Sequence, residues 1–471
     1  MSLSPSGAFP FQETKRQTPP RQLLDTFDSL MTSFSRERPI LIGLDGSAPR
    51  GTRNTICYSL AMILRILMIL SAGWLLGSTF ALANDWKQYR GPHGDGTSSD
   101  TVINRDWKAK PPVLLWSYPL GDEGWGNPCV GDGRVFLLDH EGTKESPDLV
   151  RALDLETGRA IWNTPLTGPS QDKYGYTAQT PALDDGKLYC VSHSMQVSCL
   201  DAATGKTIWT RDASRDFSAC PAEKPLAHTA SPLVDAQHVY IVPGGPDASV
   251  VALDKNTGAL CWKAPGGPAG YASPIFYGDG TNRQLVAFNS EGLIGFNPRD
   301  GRRLWTQPWI TPHNQNAATP IVIGKQIFIT SAWRVGAGLV DITDNKPSIV
   351  WKTKDLQARF TSPVHINGFI YGVSEPQPPG HLVCLDAMTG ATKWKQPGFG
   401  FGPLGAVGDT LIVLNGNTGD IVLVEATSEA YRELGCIKSE KPTPAWNLPI
   451  VADGKLLFRN KKSLLCLNVA P

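Results

Sequence analysis

Side chains suited to ligand binding recur at fixed distances before eight regularly spaced prolines. Trp, Tyr or Phe stands three residues before four of these prolines, and His, Asn or Arg stands four residues before three of them. With a tyrosine five residues before another proline, the set is Trp125, Tyr176, His228, Tyr271, Asn316, Arg359, Phe360 and Trp446. Aromatic and polar groups that converge on a concave surface form ligand and peptide pockets. The alternative is that these side chains only fill gaps in the fold.

Residues for acid–base, nucleophilic or metal chemistry show no comparable pattern. The eight histidines include no pair at metal-ligand spacing, and His193 and His381 are interpreted as surface residues. No Gly-x-Ser-x-Gly sequence occurs, and a Ser-His-Asp triad would have to assemble from distant residues. The stretch GPHGDG (91–96) fits neither a phosphate-binding loop nor an EF-hand. We predict no metal site and no catalytic residue, and we interpret residues 84–106 as a flexible lead-in that packs on the main fold.

The cysteines favour a structural role. Eight of the nine follow Ala83, and Cys199, Cys384 and Cys466 share one position just before a Leu-Asp or Leu-Asn pair. A recurring Cys of this kind predicts a small apolar core position. A disulfide between Cys190 and Cys199 across a hairpin is the alternative. No CxxC or CxxCH sequence is present, which argues against a redox dithiol or a c-type haem.

The candidate binding residues and the recurring cysteines lie in or beside a repeated unit. Each unit begins with a proline, followed by a turn often containing Asp and Gly and by a short alternating strand such as KLYCVS. The prolines are Pro128, Pro181, Pro232, Pro274, Pro320, Pro363, Pro403 and Pro449. A third strand ends in Asp, and DxxTG then joins it to a fourth strand that carries Trp. The Asp can accept hydrogen bonds from nearby amides, and the Gly supplies a positive φ.

The repeated tryptophans recur every 43 to 53 residues, which is the length of a four-stranded propeller blade. They are Trp116, Trp162, Trp209, Trp262, Trp305, Trp351 and Trp394. We expect each to cover the edge of the neighbouring unit and so to link the units. The seventh unit has ATSEAYREL (426–434) where the others carry Trp.

The ends of the chain predict how the ring closes. The last unit, from Pro449, has only three strands, whereas PPVLLWSYPL (111–120) is an unassigned strand with its own Trp116. The sequence therefore predicts an all-β, eight-bladed β-propeller of four-stranded antiparallel blades over residues 107–471, closed by an N-terminal strand that completes the last blade. The first strand of each blade would line the channel, so the eight candidate binding residues would surround a funnel on one face.

The N-terminal region predicts export. Residues 62–83 have an early Arg, an apolar stretch and a small-x-small end, which is the layout of a signal peptide cleaved before Asn84. An uncleaved signal anchor is the alternative. Residues 1–61 show no periodicity and are interpreted as a disordered extension or as a misassigned start, with translation beginning at Met62. The net charge of +1 and the absence of a Lys/Arg run argue against nucleic acid as a partner. We expect a monomer without a membrane span, in the periplasm or cell envelope.

The repeat resembles that of the pyrroloquinoline-quinone (PQQ) repeat family, in which Asp-x-x-Thr-Gly is followed by Trp. Four copies match well and two loosely over about residues 107–471: LDLETGRAIW, LDAATGKTIW, LDKNTGALCW and LDAMTGATKW, then FNPRDGRRLW and VDITDNKPSIVW. The resemblance implies one of two branches: quinoprotein alcohol dehydrogenases that bind PQQ with calcium, or BamB-type outer-membrane assembly factors, which are non-catalytic scaffolds. Residues 85–100 also resemble the opening of exported propeller proteins of planctomycete-type bacteria.

The two branches differ in the residues they need. The resemblance to the dehydrogenases implies an adjacent Cys-Cys pair, calcium ligands, a catalytic Asp and an Arg, but no two cysteines are adjacent here. Glu291 and Glu375 are the nearest carboxylate candidates, and both are interpreted as solvated loop charges. We therefore predict a non-catalytic scaffold, without cofactor, that binds an envelope protein, an extended peptide or a polysaccharide. A PQQ- and calcium-dependent alcohol dehydrogenase is the alternative, and a hydrolase or lyase is a third possibility.

Overall fold

The computed structural model describes residues 85–121, 124–170, 177–221, 228–374, 379–439 and 446–471. The predictions for residues 1–61 and 62–83 lie outside the described residues, as do those for Tyr176 and Glu375. Within the described ranges, no helix is long and apolar enough to cross a membrane.

These residues form eight four-stranded antiparallel sheets, which confirms the predicted propeller. The strands before and in blades 1 to 4 are β1 (Val113–Pro119); β2 (Cys129–Gly131), β3 (Arg134–His140), β4 (Asp148–Asp154), β5 (Ala160–Pro165); β6 (Ala182–Asp184), β7 (Lys187–Val191), β8 (Gln196–Asp201), β9 (Thr207–Asp212); β10 (Leu233–Val234), β11 (His238–Ile241), β12 (Val250–Asp254), β13 (Leu260–Ala264); β14 (Ile275–Tyr277), β15 (Gln284–Asn289), β16 (Gly292–Phe296) and β17 (Arg303–Pro308). Those of blades 5 to 8 are β18 (Ile321–Ile323), β19 (Gln326–Ser331), β20 (Gly336–Asp341), β21 (Ser348–Thr353); β22 (Val364–Ile366), β23 (Phe369–Ser374), β24 (His381–Asp386), β25 (Thr392–Pro397); β26 (Leu404–Val407), β27 (Thr410–Leu414), β28 (Ile421–Glu425), β29 (Glu433–Ile437); β30 (Ile450–Ala452), β31 (Lys455–Arg459) and β32 (Ser463–Asn468). The described helices are short: α1 (Ala213–Asp216) and three 3₁₀ turns at Gly280–Asn282, Pro312–Asn314 and Thr343–Asn345.

The first strand of every blade begins one residue after a repeated proline. First strands of successive blades contact one another, as β2 does with β6 and β22 with β26, so these strands surround the axis. The loops before the first strands lie at one end of the blades. The turns between first and second strands lie at the other end, together with the DxxTG turns.

The small polar residue before six of the eight prolines joins neighbouring blades. From blade 1 to blade 6, a backbone amide donates to the hydroxyl at the same position of the next blade. The bonds run from Asn127 N to Thr180 Oγ1, Thr180 N to Ser231 Oγ, Ser231 N to Ser273 Oγ, Ser273 N to Thr319 Oγ1, and Thr319 N to Ser362 Oγ, at 2.8 to 3.3 Å. This arc of buried hydrogen bonds explains why Ser or Thr so often precedes the proline.

The repeated tryptophans link each blade to the next. Six indole N–H groups donate, at 2.8 to 3.2 Å, to a carbonyl in the DxxTG turn, or its equivalent, of the following blade. The pairs are Trp116–Leu155, Trp162–Ala202, Trp209–Lys255, Trp262–Pro298, Trp351–Ala387 and Trp394–Thr427. Trp305 differs, because its indole donates to Gln284 of its own blade at 2.6 Å. In the turns, the Asp carboxylate accepts from the Thr amide and hydroxyl, as Asp201 does from Thr204 at 2.8 and 2.7 Å.

The ring closes as predicted. β1 pairs antiparallel with β32 and completes the eighth blade. Trp116 of β1 then donates its indole N–H to Leu155 O of blade 1. The closing strand therefore makes the same contact to the next blade that the other tryptophans make.

Blade 7 obtains its tryptophan from outside the blade. Gly435 occupies the strand position that Trp holds in the other blades, opposite Leu423. A Cβ atom on Gly435 would lie 2.5 Å from the Cβ of Trp107, so only glycine leaves room for Trp107 there. Trp107 is buried in a cluster that includes Leu423 of blade 7 and Leu456 of blade 8. It fills the space between these blades.

Residues 85–106 lie against the inner strands, where a flexible lead-in was expected. Trp86 N and O bond Val130 O and N on the free edge of β2 at 2.8 and 2.9 Å, and Ser98 N donates to Ala406 O at 2.8 Å. Arg90 is fully buried, and its guanidinium donates to Ser362 O and Pro363 O at 3.1 and 2.5 Å. Residues 86–98 therefore lie in the axial channel and are held there by defined hydrogen bonds.

The recurring cysteines are core residues. Cys199, Cys384 and Cys466 are fully buried, and each stands opposite a repeated tryptophan. Burial raises the pKa of the Cys199 and Cys384 thiols to about 11, so both are uncharged at neutral pH. The eight described cysteines are all free, so the alternative of a Cys190–Cys199 disulfide is wrong. The two residues stand on neighbouring rungs of one hairpin, with Cys190 opposite Ser198.

Candidate partner-binding face

Three loops before first strands bring aromatic side chains together. Trp125 precedes β2, Phe360 precedes β22 and Trp446 precedes β30. The rings of Trp125 and Trp446 stack with centroids 4.5 Å apart and planes 23° apart. Phe360 stacks on Trp446 at 6.2 Å and 25°. Residues far apart in sequence thus form one stack across the end of the propeller.

Further side chains extend the stack at both ends. The guanidinium carbon of Arg359 lies 4.7 Å from the Phe360 ring centroid and 4.6 Å from that of Trp333. His313 lies 5.3 Å from Trp333. At the other side, Phe401 meets Trp446 edge-on at 5.8 Å, and Lys461 lies 5.8 Å from the Trp125 ring. We call this set the aromatic face: Trp125, His313, Trp333, Arg359, Phe360, Phe401, Trp446 and Lys461.

The aromatic face is partly open to solvent. Trp333 is 40% exposed and Phe360 is 39% exposed. Trp125, Arg359 and Trp446 are half-buried. Clustered aromatic and arginine side chains of this kind are enriched in the parts of protein interfaces that contribute most to binding. The face presents stacked aromatic rings, the edges of those rings and the positive charges of Arg359 and Lys461. Its rings already contact one another.

Two hydrogen-bond donors of the face have no acceptor among the described residues. They are Trp446 Nε1 and Arg359 Nε, and both atoms are buried. A buried donor without an acceptor is costly in a folded protein. These two donors are therefore polar atoms of the face whose hydrogen-bonding capacity is not used among the described residues.

The other described candidates are structural. Asn316 is fully buried and donates its amide to Asn289 O at 2.8 Å and to Trp309 O at 2.9 Å. Tyr271 is buried, and its amide donates to Asn316 O at 3.0 Å. These contacts join blades 4 and 5. Tyr271 and Asn316 thus make the kind of gap-filling contacts that the alternative interpretation expected.

His228 is also buried within the fold, and so is His193, so the prediction that His193 is a surface residue is wrong. The Nε2 atom of His228 lies 2.9 Å from Pro243 O, which makes it the donor of a hydrogen bond within blade 3. Burial lowers the pKa of His228 to about 4, so the ring is neutral at physiological pH. It therefore holds the loop before β10 in place.

The sequence-derived set omitted four members of the face. His313, Trp333, Phe401 and Lys461 do not stand at the positions that were counted back from the prolines. Trp333 lies in the hairpin between β19 and β20, at φ 59°. Seven of the 14 tryptophans lie outside the repeat series, and Trp333 is one of them. A tryptophan outside the repeat series was the sequence feature that could have indicated Trp333 as a candidate binding residue.

A buried group of charged side chains lies at the same end of blades 8 and 1. Arg151 Nε donates to Asp139 Oδ2 at 2.6 Å, and Arg459 Nη1 donates to Leu138 O at 3.0 Å. His140 Nδ1 lies 3.4 Å from Asp148 Oδ1. All these charged side chains are buried, so this His-Asp pair lacks the access to substrate that an active site needs.

The described residues do not fit calcium-bound PQQ. They contain no group of three His, Cys, Asp or Glu side chains that could hold a metal ion. The Trp125 and Trp446 rings stack directly on each other, which fills the space that a planar cofactor would need between them. No part of the function proposed below involves this cofactor.

A separate groove lies at the turn end of blades 3 to 5. Its volume is about 1170 Å³, and Tyr277, Arg283, Gln284 and Asn345 are among its lining residues. It lies beside Trp305, whose indole bonds Gln284 instead of a carbonyl of blade 5. The groove thus accompanies the irregular turn of blade 5, where a 3₁₀ helix at Thr343–Asn345 replaces the TG sequence.

Comparison with known proteins gives one family. A family model described as outer membrane protein assembly factor BamB matches residues 145–396, which is more than half of the chain. BamB of Yersinia pestis is 22% identical over 323 residues, which cover 65% of this chain and 74% of that protein. BamB from Moraxella catarrhalis has a solved structure with a TM-score of 0.57 and 13% identity, covering 76% of this chain and 99% of that one. This last likeness is one of fold.

An enzyme matches over a shorter range. The quinoprotein alcohol dehydrogenase PedH of Pseudomonas putida is 30% identical over 186 residues. The match covers 37% of this chain and 30% of that enzyme. The shared part is therefore less than a third of the dehydrogenase.

Proposed function

The chain belongs to the family described as outer membrane protein assembly factor BamB, and on this premise we propose that it is an exported, non-catalytic scaffold. Its partner is a protein of the cell envelope, which it binds through the aromatic face. Its relatives are named for the assembly of outer membrane proteins, and the same setting is proposed for this chain. Signal-peptide cleavage before Asn84 is part of the proposal.

The observation that carries the proposal is the aromatic face itself. Blades 1, 5, 6, 7 and 8 contribute to it, and the side chains are held by stacking before any partner arrives. Ordering of side chains on binding costs free energy, so a surface that is already ordered binds more tightly. The closed ring of blades keeps the contributing loops at fixed distances.

The test compares two pairs of exposed apolar residues at opposite ends of the blades. Trp333→Ala with Phe360→Ala removes the two exposed hydrophobic rings of the face. Met388→Ala with Leu260→Ala removes side chains that are 59% and 41% exposed at the turn end. Each chain carries a photo-crosslinking residue at position 401 and is expressed in its native host. We expect the first pair to abolish crosslinks to one envelope protein and the second pair to retain them.

Two results would count against the proposal. One is a crosslinking pattern that both pairs change equally, since this would remove the special role of the face. The other is the absence of any crosslink from position 401, with a photo-crosslinker at position 388 capturing the partner instead. Melting temperatures of both variants control for loss of folding.

A quinoprotein dehydrogenase remains the second candidate because of the similarity to PedH. Calorimetry of residues 84–471 with PQQ and Ca²⁺, together with dye reduction by simple alcohols, tests it. We expect neither heat of binding nor turnover. Calcium-dependent binding with turnover would replace the scaffold proposal by the dehydrogenase.

A further inference from the structure

We propose that Arg359 is the anchor by which the aromatic face recognises a carboxylate, and that the docked segment is an acidic peptide in which Asp or Glu adjoins an apolar side chain. The inference rests on the proposed function, since it names the chemistry of the partner at the same face. The evidence is the set of groups around the Arg359 guanidinium.

Arg359 is held in place by aromatic rings. Its guanidinium carbon lies 4.6 Å from the Trp333 centroid and 4.7 Å from the Phe360 centroid. Two ring contacts restrict the planar group and lower the entropy that it would lose on binding. Trp333 itself is fixed by its indole N–H, which donates to Gln315 Oε1 at 2.9 Å. The guanidinium is therefore oriented before a ligand binds.

Arg359 lacks the carboxylate partner that several other surface arginines of the described chain have. Arg105 pairs with Asp409 at 3.0 Å, Arg303 with Glu291 at 2.8 Å and Arg432 with Glu425 at 3.2 Å. Among the described residues, no carboxylate lies within ion-pair distance of Arg359, and its buried Nε–H has no acceptor. A planar guanidinium binds carboxylates through two parallel hydrogen bonds. An incoming carboxylate would supply the missing acceptor.

The stacking favours a peptide over a glycan. Sugar rings bind best on an open aromatic face, but Trp446 has Trp125 at 4.5 Å and Phe360 at 6.2 Å. What the stack offers a partner is ring edges, apolar surface and the Trp446 indole N–H. Apolar side chains next to a carboxylate match such a surface, and the indole N–H can donate to a peptide carbonyl.

The experiment uses a defined probe and a matched control. The probe is a fluorescein-labelled peptide with three Phe-Glu pairs separated by Gly-Ser, and its twin carries Gln in place of Glu. Binding to the mature chain is measured by fluorescence anisotropy. Arg359→Gln is compared with Arg283→Gln, because Arg283 is also packed on a ring, that of Phe276 at 3.4 Å, but at the turn end. Arg359→Lys keeps the charge and removes the planar fork.

We expect the Glu peptide to bind at least tenfold more tightly than the Gln twin, since hydrogen bonds to charged groups are worth about a tenfold to hundredfold change in affinity. Arg359→Gln should erase that difference, Arg359→Lys should restore part of it, and Arg283→Gln should leave it unchanged. High salt should weaken only the Glu peptide.

Several outcomes would overturn the inference. These are equal binding of the two peptides, no binding of either, or an equal effect of the Arg359 and Arg283 substitutions. Binding of a hexameric oligogalacturonate in place of the peptide would also overturn it in favour of an acidic glycan. If the crosslinking experiment gives the expected result but the Glu peptide does not bind more tightly than the Gln peptide, the aromatic face is still supported as the docking site. Only the proposal that Arg359 recognises a carboxylate is then rejected.

Discussion

At the scale of single residues, burial separates the side chains that precede the repeated prolines. Trp125, Phe360 and Trp446 stack at an end of the propeller that remains partly exposed. In contrast, His228 and Asn316 form hydrogen bonds with neighbouring loops and strands. Equal sequence position therefore leads to different roles. His228 and Asn316 are buried within the fold, whereas the three stacked rings lie at the partly exposed end.

His228 predicts a pH dependence of stability. Its pKa is about 4 in the folded chain and near its ordinary value of about 6.5 in the unfolded chain. In this pH range, His228 is protonated in the unfolded chain but neutral in the folded chain. The free energy of unfolding therefore falls as pH decreases from about 6.5 to about 4. We expect a loss of about 2–3 kcal/mol over this window, measured by urea unfolding at several pH values.

The matched variants are His228→Gln and His381→Gln. The first should flatten the pH dependence, and the second is the histidine control at the start of β24. Some slope should remain in the first variant, since burial also lowers the pKa of His365. An unchanged slope in His228→Gln would show that His228 is not the group that titrates.

At the scale of elements, the contact between turn and tryptophan repeats around the ring. The Gly of DxxTG serves two purposes, because it has a positive φ and also faces the tryptophan of the preceding blade. At Gly205, φ is +73° and an added Cβ would lie 2.6 Å from the Trp162 ring. The repeated sequence therefore encodes both a reversal of the chain and a contact between blades.

Two glycines of blade 2 separate these effects. Gly186 has a similar φ of +67°, but an added Cβ would meet nothing within 4 Å. Gly186→Ala should cost about 1–2 kcal/mol for the left-handed backbone. Gly205→Ala should cost a further 1–3 kcal/mol, approximately, because Trp162 must move. Equal losses in chemical unfolding would show that the ring contact adds nothing.

Trp107 predicts a local weakness in the seventh blade. Trp107→Ala leaves a cavity between blades 7 and 8 and should cost about 3–5 kcal/mol. Hydrogen exchange should quicken first in β28 and β29. Val102→Ala is the control, since Val102 is an exposed apolar residue of the same segment. If both variants unfold at the same urea concentration, Trp107 does not replace the missing blade tryptophan.

At the scale of the whole molecule, two N-terminal segments complete the ring. β1 supplies the last strand of blade 8, and the segment 85–106, whose residues 86–98 lie along the first strands, bonds to blades 1, 2, 6, 7 and 8. Burial lowers the pKa of Arg90, whose guanidinium is held by carbonyl oxygens at the channel wall.

Arg90 tests this arrangement. Arg90→Met keeps much of the side-chain volume but leaves several buried carbonyls without donors, which should cost about 3 kcal/mol or more. Arg105→Met removes an exposed ion pair from the same segment and should cost less than about 1 kcal/mol. Urea unfolding of both variants is the measurement. A small and equal effect would mean that the segment rests on the ring without stabilising it.

The local pattern of the sequence was sufficient for the blades. Alternating residues, Pro at the start of each first strand and the DxxTG turn depend on interactions within about 50 residues. They predicted eight blades, the closing strand and the buried recurring cysteines. The predictions for the signal peptide and for residues 1–61 stay predictions, since those residues lie outside the described part of the chain.

The candidate site was only half determined in this way. The sequence indicated which positions surround the channel, because the repeat fixes them, and it placed Trp125, Arg359, Phe360 and Trp446 in one set. Only the tertiary structure showed that these four meet, that Trp333 joins them, that His228 and Asn316 are used within the fold, and that Arg90 lies in the channel. The physical reason is that such contacts join residues tens to hundreds of positions apart. Their geometry is set by the packing of distant blades around the axis, which no local pattern encodes.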